Sequence, residues 1–445
     1  MNNLRLKQNN SRTFKMYKSG KQWVIAAMAV AGLSLYGALA HNSASADSLS
    51  DNTVQTLAAY TMGQNTTTTS KQTASDQAGT SINLANSGIS SDNSQAATVD
   101  GNTVTINQAG TYTVSGTSDD AQILVNAPSD AAVNLILNNA NLSTTKGAAI
   151  AAQSYGSLTL TANGTNSISA TPSIDDPESL DTINPNGAIY ANGNLTVNGS
   201  GELNINSTMN GISADGSMDV NDLNLNVTKS YEALEAEVVN VNSGNLSLNA
   251  DDDIINAQLD QSKYDAGSKD TQAININGGN LVMHGAGDGL DSNGDINING
   301  GNIVSMIDST PDNGAIDGDG TITFKGGNVI WGGTGTEGTP DADTSSQSYV
   351  KIGATTKGDT VTVSKDGQDL TSFESPQNTD YMNISFPGIT AGDTYQVSIN
   401  GTSSDVVAGQ GGGSGMTGEG GPMGGGQGMP PMDQAMKQGQ TPAAE

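Results

Sequence analysis

Apolar and polar residues alternate along the middle of the chain in short segments separated by turns rich in Gly, Asn and Asp. The clearest segments have the form apolar-polar-apolar-polar, a turn, and a second apolar stretch. They begin at Val239, Ile274, Ile296 and Ile322. A period of two is typical of β-strands, and no segment has the length or period of an amphipathic helix. The pattern therefore predicts an all-β protein.

A third apolar position accompanies each unit and sets the length of the repeat. It falls at Ile189, Ile212, Leu234, Ile254, Leu290 and Ile316. Successive positions are 20 to 36 residues apart, and the longest interval includes an insertion around residues 258–271. Periods of this size are typical of solenoids. Three short strands per repeat predict a right-handed parallel β-helix over residues 98–345, with inward Ile, Val and Leu in one column.

Asparagine recurs at one turn position of the repeat, and its amides are expected to stack as hydrogen-bonded ladders. The positions are Asn245, Asn280, Asn302 and Asn328. Glycine beside them supplies the positive φ that a tight turn needs.

The segments on either side of the repeats differ from them in composition. Residues 346–402 contain alternating strands with Asp-Gly and Gly-Asp turns, which predicts a small antiparallel β wing that covers the edge of the last coil. Residues 47–97 and 403–445 hold few large apolar residues, so they cannot offset the entropy of ordering the chain. We expect a disordered Ser/Thr-rich spacer and a disordered Gly/Met/Pro-rich tail.

The first 46 residues have the charge and hydropathy profile of a signal peptide. They contain six basic residues, no acid, an apolar run over residues 24–40, and small residues at 44–46 where cleavage would fit. Residues 15–23 match the form KxYKxGKxW, a signal found on exported proteins of Gram-positive lactic acid bacteria and streptococci. We therefore expect a secreted protein. Because the tail has no LPxTG motif, retention at the cell surface would be non-covalent.

The charge balance restricts the partners. The chain's 16 basic residues less the six in the leader leave 10 against 45 acids, a formal net charge of −35, and the 10 are all lysine. Nucleic acid is excluded, because phosphate binding needs clustered Lys and Arg. Membrane insertion after signal cleavage is not expected, because no later segment is apolar enough. The chain has no cysteine and one histidine beyond the leader, His284, so zinc and thiol sites are excluded.

Acidic residues recur at corresponding corners of successive repeats, which predicts calcium sites. Adjacent coils lie about 4.8 Å apart, so stacked carboxylates repel by ~3 kcal/mol per pair unless a cation lies between them. Oxygen ligands favour calcium over transition metals. The alternative is that Asp and Asn stand there because tight turns favour them. The candidate ligands are Glu232, Glu235, Asp252, Asp253, Asp288, Asp291, Asp295, Asp317 and Asp319.

Aromatic residues that could contact a sugar are few. Trp331 ends the last clear repeat, Tyr231 lies near a corner, and Tyr264 lies in the insertion. Each is a candidate for carbohydrate binding, and ordinary packing is the alternative for each.

Several motifs together resemble those of the carbohydrate-binding β-helix proteins first described in cellulolytic clostridia. They are the Ile-Asn-Ile-Asn-Gly-Gly-Asn repeats, the acidic corners at residues 288–295 and 313–320, the wing and the Gly/Met-rich tail. This resemblance implies a fold similar to calcium-dependent pectate lyases. It also implies bound calcium and binding to cellulose or polygalacturonate-like polymers without general catalysis.

Three functions remain open on the sequence. The first is a secreted, monomeric, non-catalytic protein that binds an extended polysaccharide, acidic polymers included. The second is a calcium-dependent polysaccharide lyase, whose base would be Lys229, Lys263 or Lys325, because arginine is absent beyond the leader. The third is a cell-surface adhesin or matrix glycoprotein.

Overall fold

A computed structural model describes residues 14–19, 22–27, 79–182, 184–259, 271–308, 313–333 and 338–409. Within these ranges the regular structure is almost entirely β-strand, as the alternation predicts, and the one helical segment is a 3-10 turn at Pro177–Thr182. No helix in this part of the chain is both long and apolar enough to cross a membrane.

The strands are numbered in chain order. The first twelve are β1 (Phe14–Ser19), β2 (Gln22–Ala27), β3 (Thr80–Leu84), β4 (Ser90–Ser91), β5 (Ala97–Asp100), β6 (Thr103–Ile106), β7 (Gly110–Ser118), β8 (Gln122–Asn126), β9 (Ala132–Thr144), β10 (Ile150–Ser154), β11 (Ser157–Asn163) and β12 (Thr165–Ala170). The next eleven are β13 (Gly187–Ala191), β14 (Leu195–Asn198), β15 (Glu202–Ser207), β16 (Asn210–Asn221), β17 (Leu223–Lys229), β18 (Leu234–Val241), β19 (Gly244–Ala250), β20 (Ile255–Ala257), β21 (Ala273–Ile276), β22 (Asn280–Gly285) and β23 (Leu290–Ser292). The last eleven are β24 (Asp295–Ile298), β25 (Asn302–Ile307), β26 (Asp317–Gly318), β27 (Ile322–Phe324), β28 (Asn328–Gly333), β29 (Val350–Lys351), β30 (Thr360–Lys365), β31 (Gln368–Glu374), β32 (Tyr381–Ser385), β33 (Thr394–Ile399) and β34 (Thr402–Val407).

Most strands form one large, mostly parallel sheet arranged as three ladders. Ladder A contains β6, β8, β10, β13, the starts of β16 and β18, β20, β23 and β26. Ladder B contains β11, β14, the ends of β16 and β18, β21, β24 and β27. Ladder C contains β12, β15, β17, β19, β22, β25 and β28. From β10 onward the chain adds one strand to A, B and C in turn, and we call each such set a rung.

Buried aliphatic residues keep the rungs in register. In ladder A, Ile189 lies opposite Ile212, and Leu234 lies opposite Ile255, which in turn lies opposite Leu290. All five are at most 1% exposed and belong to one continuous core. The prediction of Ile254 at this position is wrong by one residue. Ile254 is buried as well. Because two adjacent residues are both apolar, the period-two pattern could not show which of them is in register.

The asparagine ladder predicted from the turns is present. The side-chain amide of Asn280 donates to Oδ1 of Asn245 at 2.7 Å, and Asn302 donates to Asn280 at 2.8 Å. Asn328 continues the series by donating to Asn302 at 2.8 Å. The structure therefore confirms these four turn positions as one stacked row.

Regular structure begins earlier than the sequence suggested. β3 pairs in parallel with β7, and Ile82 within it is fully buried, so the boundary predicted at residue 97 is wrong from residue 79 onward. The five residues of β3 alternate correctly, but their Ser, Thr and Asn neighbours masked the pattern. Residues 47–78, the rest of the predicted spacer, lie outside the described ranges.

A small antiparallel sheet follows the rungs, as predicted for the wing. Its strand order is β31-β30-β33-β34, and β34 runs five residues past the predicted end of the wing at 402, to Val407. β32 pairs antiparallel with β28 and so covers the last strand of ladder C. Residues 410–445 lie outside the described part of the chain.

Candidate metal centre

Three carboxylates from two rungs meet at the corner that precedes ladder A. Asp253 and Asp288 each stand two residues before the paired residues Ile255 and Leu290, so the register places them side by side. Each of Asp253, Asp288 and Asp291 offers a carboxylate oxygen, and the three oxygens lie within 4.8 Å of one another. We call these residues the acid cluster. The rung spacing thus brings together acids that are far apart in sequence.

The acid cluster is electrostatically strained. Burial, and then the negative charges of Asp291, Asp288, Asp252 and Glu232, raise the pKa of Asp253 well above its usual range. Burial is also the main cause that raises the pKa of Asp252, and the charges of Asp291 and Asp251 raise it further. The protein therefore favours either a proton or a cation at this corner.

Asn256 is a residue of this corner that the sequence analysis missed. It is 5% exposed and lies opposite Asp291 in the register of β20 and β23. Its Nδ2 donates a 2.6 Å hydrogen bond to Oε1 of Glu232, and this contact fixes the orientation of the amide. Its Oδ1 is buried and has no hydrogen-bond partner among the described residues. A buried oxygen in this state costs about 1–3 kcal/mol unless a further partner binds it.

An all-oxygen set of this kind fits a hard cation. Three carboxylates and one amide oxygen are ligands that calcium accepts at about 2.3–2.6 Å in flexible geometry. The buried Oδ1 of Asn256 would gain the partner it lacks if it were a ligand in such a site. The only indication of Asn256 in the sequence was its position one repeat before Asp291.

Glu232 and Glu235, two further predicted ligands, have amide partners of their own. Glu232 is 2% exposed and also accepts a hydrogen bond from Asn210 at 3.1 Å. Glu235 accepts hydrogen bonds from Asn186, Asn210, Ser213 and Gln258 at 2.5–3.2 Å. Burial raises the pKa of Glu235, and these hydrogen bonds partly oppose the rise. Both acids are thus held in a polar cage next to the acid cluster.

The other predicted ligands lie around the acid cluster without joining it. Asp317 is half-buried and lies opposite Asp291 in the next rung, the register predicted from the repeats. Asp252 accepts a hydrogen bond from the hydroxyl of Tyr231. Asp295 is exposed, and its Oδ1 accepts from the backbone N–H of Thr321 at 2.8 Å, which is a turn role. Asp319 is exposed and directly follows β26, the strand that contains Asp317.

Two of the predicted sugar contacts are not on an open surface. Trp331 is 0% exposed, its Nε1 donates to the carbonyl of Gly338 at 2.8 Å, and its ring packs against Phe324, so its assignment to carbohydrate binding is wrong. The side chain belongs to the core. A position at the end of a repeat in the sequence therefore did not predict a position on the surface. Tyr231 is half-buried against the core with its hydroxyl on Asp252. Tyr264 lies outside the described ranges.

The lysines considered as catalytic bases are exposed where they are described, and His284, the one histidine beyond the leader, contacts polar neighbours. Lys229 lies 3.6 Å from the carboxylate of Asp251, and both side chains are more than half exposed. His284 is a strand residue of β22, with Nε2 3.0 Å from Asp308 and Nδ1 3.4 Å from Oδ1 of Asn249. Lys325 is exposed beside the turn after β27. Lys263 lies outside the described ranges.

Comparison with known proteins gives two matches in sequence. A family model described as "Carbohydrate-binding domain-containing protein" matches residues 100–412. A KxYKxGKxW signal peptide model matches residues 9–49, which confirms the signal peptide and supports secretion. No curated protein matches the chain. A solved structure described as "Structure of the polysaccharide lyase-like protein from C. thermocellum, Gadolinium derivative" is 23% identical and covers 56% of this chain and 93% of its own. Its TM-score is 0.42, which does not establish a shared fold.

Proposed function

This chain belongs to the family of carbohydrate-binding domain-containing proteins, and we propose that it is a secreted, non-catalytic protein that binds an extended acidic polysaccharide through calcium. The single observation that carries the proposal is the acid cluster with the buried, unsatisfied Oδ1 of Asn256 beside it. The signal peptide supports action outside the cell. Non-covalent retention at the cell surface is a further part of the proposal.

The architecture proposed is a right-handed parallel β-helix with a C-terminal wing. The cyclic order of ladders A, B and C supports it, because one strand per ladder is added in each repeat. About 98% of crossover connections between parallel strands of one sheet are right-handed, which supports the right-handed winding. This winding makes the corner before ladder A a straight column, along which Glu232, Asp253 and Asp288 follow one another.

The residues of the corner would hold calcium as follows. Asp253, Asp288 and Asp291 supply carboxylate oxygens, and Asn256 supplies its amide oxygen. Glu232 holds Asn256 in place through the 2.6 Å hydrogen bond, and Asn210 holds Glu232. Bound calcium would neutralise the repulsion among the acids and offer open coordination positions to a ligand from outside.

The charge of the protein supports an acidic sugar held through a cation. A uronate polymer is repelled by a secreted chain with 10 lysines and 45 acids, a formal net charge of −35, and a direct partner for its carboxylates would be arginine, which is absent beyond the leader. Calcium bound to both protein and uronate oxygens removes this repulsion.

Binding to immobilised polygalacturonate tests the proposal. Beads are needed because calcium gels the free polymer, and beads carrying a neutral polymer report background. We expect the purified full chain to be retained in calcium, released by EDTA, and to generate no ultraviolet absorbance of unsaturated product. Asp291→Asn should lose most of the retention, while Asp343→Asn, an exposed acid in a turn, should not. Equal retention in EDTA would contradict the calcium bridge, and rising absorbance would establish a lyase instead.

A further inference from the structure

We propose that the acid cluster binds the polysaccharide close to one chain end, because the segment between β12 and β13 closes one end of the surface along which the polymer would lie. This inference rests on the proposed function and adds to it which part of the polymer is recognised. Within the described part of the chain the segment comprises residues 171–182 and 184–186. We call it the wall.

The surface is a row of ladder A that faces away from the core, because it alternates with the row of buried aliphatic residues. β20 and β23 have three residues each, about 10 Å, so a polymer that crossed ladder A along its strands would soon leave it. A polymer that follows the row stays on the ladder and passes the acid cluster. The row runs, rung by rung, from Ala151 through Tyr190, Ser213, Glu235, Asn256 and Asp291 to Asp317.

The wall crosses ladder A from one corner to the other. At the corner between ladders C and A, the hydroxyl of Thr208 donates to the backbone carbonyl of Pro172 at 2.7 Å. Where β16 passes from ladder A to ladder B, Nδ2 of Asn184 donates to Oδ1 of Asp215 at 3.1 Å. Between these contacts in sequence, Leu180 is fully buried and belongs to the core. The wall is therefore held at both sides and in its middle.

The outward row is covered at the wall and open beyond the acid cluster. Ala151, Tyr190 and Ser213 are only 2–3% exposed, although they face away from the core. Asp291 and Asp317 are half-buried. A polymer bound at the acid cluster can therefore continue past Asp317, whereas the wall stops it in the other direction.

Glu235 brings the closed end close to the acid cluster. Its Oε2 accepts a 2.7 Å hydrogen bond from Nδ2 of Asn186, a residue of the wall. It also lies opposite Asn256 in the register of β18 and β20, one rung or about 4.8 Å away. A uronate carboxylate that shares a cation with the acid cluster therefore belongs to one of the last units of its polymer.

The charge of the wall opposes a uronate polymer that would pass over it. Residues 171–186 contain four acids and no lysine, arginine or histidine. Asp175 and Asp176 among them are exposed. Uronates carry charge of the same sign, so the wall repels them as well as blocking their way.

The geometry leaves room for about two or three sugar units beside the acid cluster. Two rung intervals, about 10 Å, separate Asn256 from Asp317, and a pyranose unit of an extended polymer is about as long as one interval. The rest of the polymer would project beyond the last rung of ladder A. Each polymer molecule therefore offers one binding place, however long it is.

The experiment compares two kinds of polygalacturonate beads that carry the same mass of uronate, coupled at random positions. One kind carries the long polymer, and the other carries fragments with roughly ten times as many chain ends. In calcium, at protein concentrations well above the dissociation constant, we expect the fragment beads to retain roughly ten times as much of the full chain. Binding along the interior of the polymer predicts equal amounts on the two kinds of beads.

A variant without the wall tests the cause of this selection. Residues 173–182 are replaced by a short Gly-Ser linker, and both kinds of beads should then retain similar amounts, because the polymer can continue along ladder A. If this variant does not melt cooperatively, Asn184→Ala/Thr208→Ala takes its place. It removes two hydrogen bonds that hold the wall and should lower the ratio to below about threefold. The matched control, Thr161→Ala/Asn198→Ala, removes a contact between the same residue types on ladder B and should keep the ratio.

The outcomes separate this inference from the proposed function. If the two kinds of beads retain equal, calcium-dependent amounts of wild type, binding by a chain end is overturned and the proposed function stands. A ratio that the folded wall variant keeps unchanged would also overturn the inference, because something other than the wall would then select chain ends. If neither kind of bead retains the protein in calcium, the proposed function fails and this inference fails with it.

Discussion

The backbone N–H of Asp288 donates a 2.7 Å hydrogen bond to Oδ1 of Asp253, a residue 35 positions earlier in the chain. The next rung repeats the relationship, because the N–H of Gly314 donates to Oδ1 of Asp288. Each of these acids is therefore positioned by the backbone of the rung that follows it. The calcium site that we propose would therefore be preorganised. Burial of its acids, and then the repulsion among their charges, appears as the raised pKa of Asp253.

Those raised pKa values predict an unusual dependence of stability on pH. Folding raises the pKa of Asp252, Asp253 and Glu235, mainly by burial. Such groups add stability below their unfolded pKa values, and this contribution is lost as pH rises through the higher folded values. In EDTA we therefore expect these three acids to make the chain more stable near pH 4 than near pH 7. Thermal melts followed by circular dichroism at constant ionic strength measure this dependence of stability on pH.

The control for the pH experiment is Asp253→Asn, which should flatten part of the dependence because it removes the most strained acid. Calcium should also flatten the curve near pH 7, because the ion then replaces the proton. A melting temperature in EDTA that rises steadily from about pH 4 to about pH 7 would contradict the assignment of strain to this corner.

Asn256 gives a prediction about affinity. Asn256→Ala removes an oxygen ligand and should weaken calcium binding roughly tenfold in isothermal calorimetry. Its metal-free stability should change little, because the buried Glu232 oxygen loses its donor while the unsatisfied Oδ1 is removed, and each change is worth about 1–3 kcal/mol with opposite sign. Asn210→Ala removes another donor to the same carboxylate and serves as the matched control. It should lower stability and weaken calcium binding less than Asn256→Ala does, because Asn210 acts only through Glu232. Equal weakening by both variants would mean that Asn256 also acts only through its contact with Glu232.

The asparagine rows make a prediction about stability that depends on position within a row. Asn302 both donates to Asn280 and accepts from Asn328, whereas Asn224 begins the row and accepts from Asn245. Asn302→Ala should therefore cost about 1–2 kcal/mol and Asn224→Ala about half as much, since each lost hydrogen bond contributes about 0.5–1.5 kcal/mol. Chemical denaturation measures the free energy of unfolding lost in each variant. The ratio of the two losses is meaningful when the variants and wild type have the same m-value. Equal costs would mean that the rows contribute nothing beyond local turn propensity.

Much of this architecture follows from the sequence, and the two predictions of register and strand position that were wrong have physical reasons. Alternation and repeat length predict the all-β parallel sheet, the stacked turn asparagines and the register of Asp291 over Asp317. Ile254 and Ile255 are both buried, so pattern alone could not choose between them. The sequence pattern did not reveal strand β3, because its neighbours are small and polar.

The candidate site was predictable only in part. Repeats indicate which acids share a corner, but not which oxygen of which side chain is already satisfied. Glu235 is caged by four donors from three rungs, a fact that depends on tertiary structure. Asn256 looked like an ordinary strand asparagine until its amide was seen to be oriented by Glu232. Trp331 was misjudged because an aromatic residue at the end of a repeat can cap the core as well as face a sugar.

Trp331 supplies a spectroscopic prediction from its buried position. The chain has two tryptophans, and the other, Trp23, lies in the leader, so the secreted protein's emission reports Trp331. We expect blue-shifted emission that polygalacturonate and cellulose leave unchanged, because the ring packs against Phe324 and Tyr349 inside the protein. Quenching by iodide should be weak until the protein unfolds. A shift on adding polysaccharide would contradict this placement and return Trp331 to the candidate sugar contacts.

Differential scanning calorimetry of wild type and Asp253→Asn tests directly whether the acid cluster binds calcium. At calcium well above its dissociation constant, and with magnesium at matched ionic strength as the reference, wild-type melting should rise by roughly 5 °C over EDTA. Asp253→Asn should melt above wild type in EDTA, because it removes the repelled acid, and should show no calcium shift, whereas Asp343→Asn should retain the shift. A wild-type shift no larger than that in magnesium, or a full shift retained in Asp253→Asn, would contradict calcium binding by the acid cluster.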